Sequence, residues 1–69
     1  MNLTPAQAKV LKFVKSFISE RGYPPTRREI ADGFGWRSQT YADQCLQVLD
    51  SKGEIKLEPG RSRGIKVNK

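Results

Sequence analysis

The stretch Gly22-Tyr23-Pro24-Pro25-Thr26-Arg27-Arg28-Glu29-Ile30-Ala31-Asp32-Gly33-Phe34-Gly35-Trp36-Arg37-Ser38 holds a complete short helix between its own start and stop signals. Thr26 followed three residues on by Glu29 is a capping box. The Thr26 hydroxyl can accept from the Glu29 amide while the Glu29 carboxylate reaches back to the Thr26 amide. Tyr23-Pro24-Pro25 stops any earlier helix from running in, because proline lacks the amide donor and clashes with the preceding turn. Ile30, Ala31 and Phe34 supply an apolar face, Gly33 weakens the last turn and Gly35 ends it. Ser38 then serves as N-cap of the next helix. Two helices joined by so short a Gly-containing turn read as a helix-turn-helix.

On the N-terminal side, Thr4-Pro5 opens a helix over about 5–21, with Thr4 as N-cap and Pro5 in the first turn. Val10, Leu11, Val14, Phe17 and Ile18 recur at spacings of three and four, forming one apolar stripe; Lys9, Lys12, Lys15 and Ser16 lie largely off it. Gly22 closes the helix. The second helix spans about 27–34. A third runs over about 39–52, where Ala42, Cys45, Leu46 and Leu49 repeat at helical spacing until Gly53 stops it.

Beyond Gly53 the period changes from helical to alternating. Residues 54–58 and 63–67 predict two strands with Ile55, Leu57, Ile65 and Val67 on one face, joined by the turn-forming Pro59-Gly60-Arg61-Ser62. A lone hairpin is marginal in water, so this face is expected on the helices. The fold class is mainly α with a small β-hairpin: a three-helix winged helix-turn-helix, one domain over 1–69.

Composition sets the functional class. Thirteen Lys or Arg against seven Asp or Glu leave a net +6. That excess is the electrostatic footprint of a nucleic-acid binder, with an anionic membrane or an unpartnered basic surface as the other readings of charge alone. One cysteine and no histidine exclude a disulfide framework and a Cys/His zinc site. Cys45 reads as a small core residue. No nucleophile-with-base pair and too little chain to enclose a pocket argue against an enzyme; no cofactor, metal or small-molecule ligand is expected. The absence of a membrane-length apolar run or a signal-peptide pattern leads to a soluble, cytoplasmic protein, at the nucleoid when DNA-bound.

Residues 22–31, Phe34-Gly35-Trp36-Arg37-Ser38, Leu49, Lys52-Gly53, Ile55 and Ser62-Arg63-Gly64-Ile65 together resemble the DNA-binding part of the LexA repressor family. Leu3-Thr4 and the first apolar stripe fit as well, so the resemblance covers essentially the whole chain. It implies a sequence-specific binder of double-stranded DNA acting as a transcriptional repressor, in an SOS-type response or as a phage or plasmid regulator. LexA-type repressors also carry a second domain, with a Ser–Lys dyad that cuts the chain at an Ala-Gly bond. This sequence holds no Ala-Gly step and ends where that linker would begin, so no self-cleavage is expected of it. A separated N-terminal domain and a naturally short relative remain open alternatives, and with them the oligomeric state.

The resemblance assigns base reading to Ser38, Thr40, Tyr41, Asp43 and Gln44 at the start of the third helix. The polar face there, Gln39, Thr40, Asp43, Gln44 and Gln47, could equally be solvated. Gln44 suits adenine N6/N7, Asp43 suits cytosine N4, and Tyr41 suits a thymine methyl or a phosphate. The family has an Asn, an Ala and two Glu where this chain has Thr40, Tyr41, Asp43 and Gln44, which implies a different operator. Backbone contacts are expected from Thr26, Arg27, Arg28 and Arg37 near the two helix N-termini. Lys52, Lys56, Arg61 and Arg63 extend them to the wing. Arg28 is also placed to balance Asp32, and Lys52 suits the negative end of its helix. A palindromic operator taken by two copies is expected. The rival class is a protein-interaction module seeded by Trp36 and Tyr41.

Overall fold

The computed structural model describes residues 3–58, 60 and 63–67. Three helices, α1 (Pro5–Arg21), α2 (Arg27–Phe34) and α3 (Gln39–Ser51), precede two short strands, β1 (Ile55–Leu57) and β2 (Ile65–Val67). The arrangement is that of a winged helix, as expected.

Each helix begins on a capped amide. The Thr26 hydroxyl accepts from the Glu29 amide (3.0 Å) and Glu29 Oε1 accepts from the Thr26 amide (2.9 Å). α1 repeats the device with Gln7: the Thr4 hydroxyl accepts from its amide (3.2 Å) and its side-chain oxygen accepts from the Thr4 amide (3.1 Å). Ser38 caps α3 by accepting from the Thr40 amide (3.0 Å).

The helix ends are as definite. α2 closes on Gly35 at φ 73°, with the Trp36 amide donating to the Ala31 carbonyl at 2.8 Å. α3 ends one residue earlier than its periodicity predicts, at Ser51, with Lys52 as its cap. Gly53 at φ 80° then turns the chain, so that the Glu54 amide donates to the Leu49 carbonyl (2.9 Å). A left-handed residue there needs glycine, because any side chain would crowd the following carbonyl.

The hairpin is antiparallel, pairing Ile55 with Val67, Lys56 with Lys66 and Leu57 with Ile65. Its strands are three residues each, shorter than the expected 54–58 and 63–67, for two reasons. The Glu54 amide is already used by the end of α3, and the backbone at the tip is already turning at Gly60 (φ 82°) and Arg63. One bond outside the strands, from the Glu58 amide to the Gly64 carbonyl (2.7 Å), extends the pairing toward the turn.

α3 packs against α1, α2 and β1 and so sits at the centre of the molecule. Val10 and Val14 from α1, Ile30 from α2, Ala42, Leu46 and Leu49 from α3 and Ile55 from β1 are at most 1% exposed. Full burial of each larger aliphatic side chain contributes about 1.5–3 kcal/mol. Gly33 does more than weaken a turn. A Cβ there would stand 2.5 Å from Cε2 of Phe13, so the glycine lets the α1 ring lie directly against α2.

Candidate nucleic-acid interface

Because Ala42, Cys45, Leu46 and Leu49 turn inward, the roughly 100° step per residue sets Thr40, Gln44 and Gln47 on the opposite side of α3. All three are exposed. Gln44 makes no side-chain hydrogen bond among the described residues. This is the face free to meet a partner.

The five residues expected to read bases do not share that face. Thr40 and Gln44 lie on it. Ser38 is occupied as the cap, and its hydroxyl also donates to the Thr40 hydroxyl at 2.9 Å. Asp43 lies on the flank toward α2, where Oδ1 accepts from Nε of Arg27 and Oδ2 accepts from Nε2 of Gln47 (2.9 Å). Tyr41 lies on the other flank. Its ring meets the edge of Trp36 at 4.7 Å between centroids and borders a shallow hollow with Pro5, Ala6, Lys9 and Phe34. Burial pushes the Cys45 thiol up in pKa, against the opposing effect of a hydrogen bond from Tyr41.

The expected backbone residues divide as well. Arg28 and Arg37 are exposed and border a hollow at the start of α3 with Ser38 and Gln39. Asp32 borders the same hollow, but Arg28 forms no ion pair with it among the described residues. Thr26 caps α2. Arg27 is tied through Nε to Asp43. Lys56 is exposed on the outer face of the wing, and Lys52 is the α3 cap. Arg61 lies outside the described residues.

Arg63 faces inward to α2. Nη1 donates to Glu29 Oε1 (2.7 Å) and to the Pro24 carbonyl (2.9 Å), and Nη2 donates to Oε2 (3.0 Å). Its guanidinium stands 4.6 Å from the Tyr23 ring centre. The Arg63 hydrogen bond, followed by that from the Thr26 amide, lowers the Glu29 pKa from 4.5 to about 2. Lys66, which sequence reading passed over, stands directly across from Lys56. The alternation of residues 64–68 would have placed it there. Two lysines opposed across a hairpin repel, so their shared face is one where an anion would be welcome.

Residues 1–64 match the family model described as the LexA DNA binding domain. The chain belongs to that family. It is 46% identical over 67 residues to the LexA repressors of Pseudomonas chlororaphis and Ectopseudomonas mendocina, and 45% identical to LexA repressor 1 of Pseudomonas putida. Those alignments cover 97% of this chain and 33% of each relative. The chain therefore spans about a third of the length of the curated relatives it matches. Within the LexA frame, the helix with the free polar face is the second of the helix-turn-helix pair, and the hairpin is the wing beside it. No described helix is long and apolar enough to cross a membrane.

Proposed function

We propose that this chain binds double-stranded DNA sequence-specifically as the DNA-binding part of a LexA-type transcriptional repressor inside the cell. The observation that carries this is the outward face of α3. Thr40 and Gln44 project from a helix whose start is flanked by Arg28 and Arg37, in a domain of net charge +6.

In the major groove each base pair shows a distinct donor and acceptor pattern. Gln44 can pair with adenine N6 and N7, while Thr40 reaches a neighbouring edge or a thymine methyl. Arg28, Arg37 and the wing lysines hold the phosphates on either side and fix the register without reading sequence. Occupancy alone represses, by covering the site where polymerase would bind; no bond is made or broken. A domain this small reads one half-site, so two copies on a palindromic operator supply the affinity of the full site.

Selection from random duplex DNA tests this reading. It should yield a defined motif with inverted symmetry, and band shifts should show a full site binding more tightly per domain than a half-site. Equal affinity per domain on both would remove the two-copy model. A protein-interaction module has one observation in its favour, the 46% exposure of Tyr41 beside Trp36. Failure of any duplex to bind at low salt would turn the reading to it.

A further inference from the structure

Asp43 sits among the residues that would read bases, yet both of its carboxylate oxygens are engaged within the chain. Arg27 donates to Oδ1 through Nε, and Gln47 donates to Oδ2 at 2.9 Å. The pair bridges α2 and α3, sixteen residues apart in sequence. Its side chains are 30% and 35% exposed, so one edge of the pair meets solvent and the other meets protein. Each oxygen can still accept a second bond, but these two partners fix the carboxylate on the flank toward α2, away from the face that carries Thr40 and Gln44.

Arg27 is engaged through Nε alone. Its two terminal nitrogens make no hydrogen bond among the described residues, and those are the donors that grip a phosphate in a planar fork. A guanidinium on a long side chain loses conformational freedom when it binds. A carboxylate that already holds its inner nitrogen removes part of that loss beforehand.

The geometry points to Asp43 as a positioning residue that holds Arg27 toward the DNA backbone, acting through that arginine and reading no base itself. This rests on the DNA-binding reading above. A carboxylate close to DNA also repels it, and that repulsion acts in any register. The two effects therefore separate. Asp43→Ala should weaken the register-locked specific complex while leaving non-specific binding unweakened, since a repelling charge has gone.

The test uses the duplex selected by the wild-type chain, its single base-pair variants and an unrelated duplex. Asp43→Ala should weaken the selected duplex roughly threefold to tenfold, the scale of coupled neighbours, with the order of preference at every base pair retained. In an Arg27→Ala background the same change should bring no further weakening of that duplex, and the lost repulsion can only strengthen it. Loss of discrimination at one base pair, or a weakening that persists without Arg27, would make Asp43 a base reader and overturn the assignment. A DNA-free measurement stands beside it. In the wild-type chain the Arg27 Nε proton should exchange with water more slowly than in Asp43→Ala. Equal exchange would overturn the assignment whatever the DNA results. A wild type that binds no duplex while keeping the slow Nε proton would instead bring down the DNA-binding reading, and Asp43 would hold Arg27 for structure alone.

Discussion

Arg63 of the wing grips both carboxylate oxygens of Glu29, through Nη1 to Oε1 at 2.7 Å and Nη2 to Oε2 at 3.0 Å. Glu29 is at the same time the capping-box residue of α2. One carboxylate thus starts a helix and fastens the hairpin to it, and a change at either residue reaches both elements.

The pH dependence of stability follows from that carboxylate. Its pKa is lowered in the folded chain from 4.5 to about 2, so the unfolded chain takes up the proton first. The stabilisation is fully present above about pH 4.5 and is lost as the pH falls toward 2. Urea midpoints should therefore fall across that window. Glu29→Gln should be less stable than wild type at pH 7 and should change less between pH 4.5 and 2. Parallel curves for the two proteins would show that the Arg63 contact contributes nothing to folding.

Gly33 offers a test of packing against propensity. Alanine is favoured over glycine by about 1 kcal/mol within a helix, but its Cβ would press on the Phe13 ring. Phe13 is also held by Phe34, at 5.3 Å between centroids, and overpacking of this kind costs roughly 1–3 kcal/mol. Gly33→Ala should destabilise the chain by about 1 kcal/mol on balance. With Phe13→Ala already in place, the same change should stabilise by about 1 kcal/mol. Thermal melts of the four proteins decide it; an unchanged sign in the second background would refute the close-approach argument.

Cys45 is 3% exposed and burial raises its thiol pKa. The first blocks a reagent's access and the second suppresses the thiolate. A thiol reagent at neutral pH should label it only as the core opens, with a rate that climbs steeply through the denaturation range. Rapid labelling in plain buffer would mean that α3 opens locally, away from the rest of the core.

Much of this molecule was legible because its signals are local. Thr26 and Glu29 are three residues apart, and Gly35 and Gly53 stand directly at the ends they close, so chain chemistry alone predicts the helices. The alternation at 55–57 and 65–67 placed the wing for the same reason. The candidate site was legible only in part. Thr40 and Gln44 follow from helical spacing, since the core face of α3 dictates what stands opposite. Asp43 and Arg63 do not, because their partners are 16 and 34 residues away. Which cation meets which carboxylate is settled by how the helices and the wing pack, and no spacing rule carries that information. The same holds for Gly33, whose need for a missing Cβ comes from an α1 ring.

Reading of sequence should fall on Thr40 and Gln44. Gln44→Ala should reduce discrimination at one base pair of each half-site by about 1–3 kcal/mol, while Arg37→Ala should weaken all duplexes nearly alike. Competition assays with single base-pair variants separate the two patterns. Uniform weakening from Gln44→Ala would move the reading face elsewhere.

The salt dependence of duplex binding tests the central claim most directly. Each phosphate neutralised adds about −0.9 to the slope of log affinity against log salt, so contacts from Arg28, Arg37 and the Arg27 held by Asp43 give a slope of about −2.7 per bound copy, before any from the wing lysines. Titrations of the selected duplex between about 50 and 200 mM salt should show that slope or a steeper one. A flat line, or no duplex bound at the low end, would contradict the account that this LexA-family domain acts on DNA through α3.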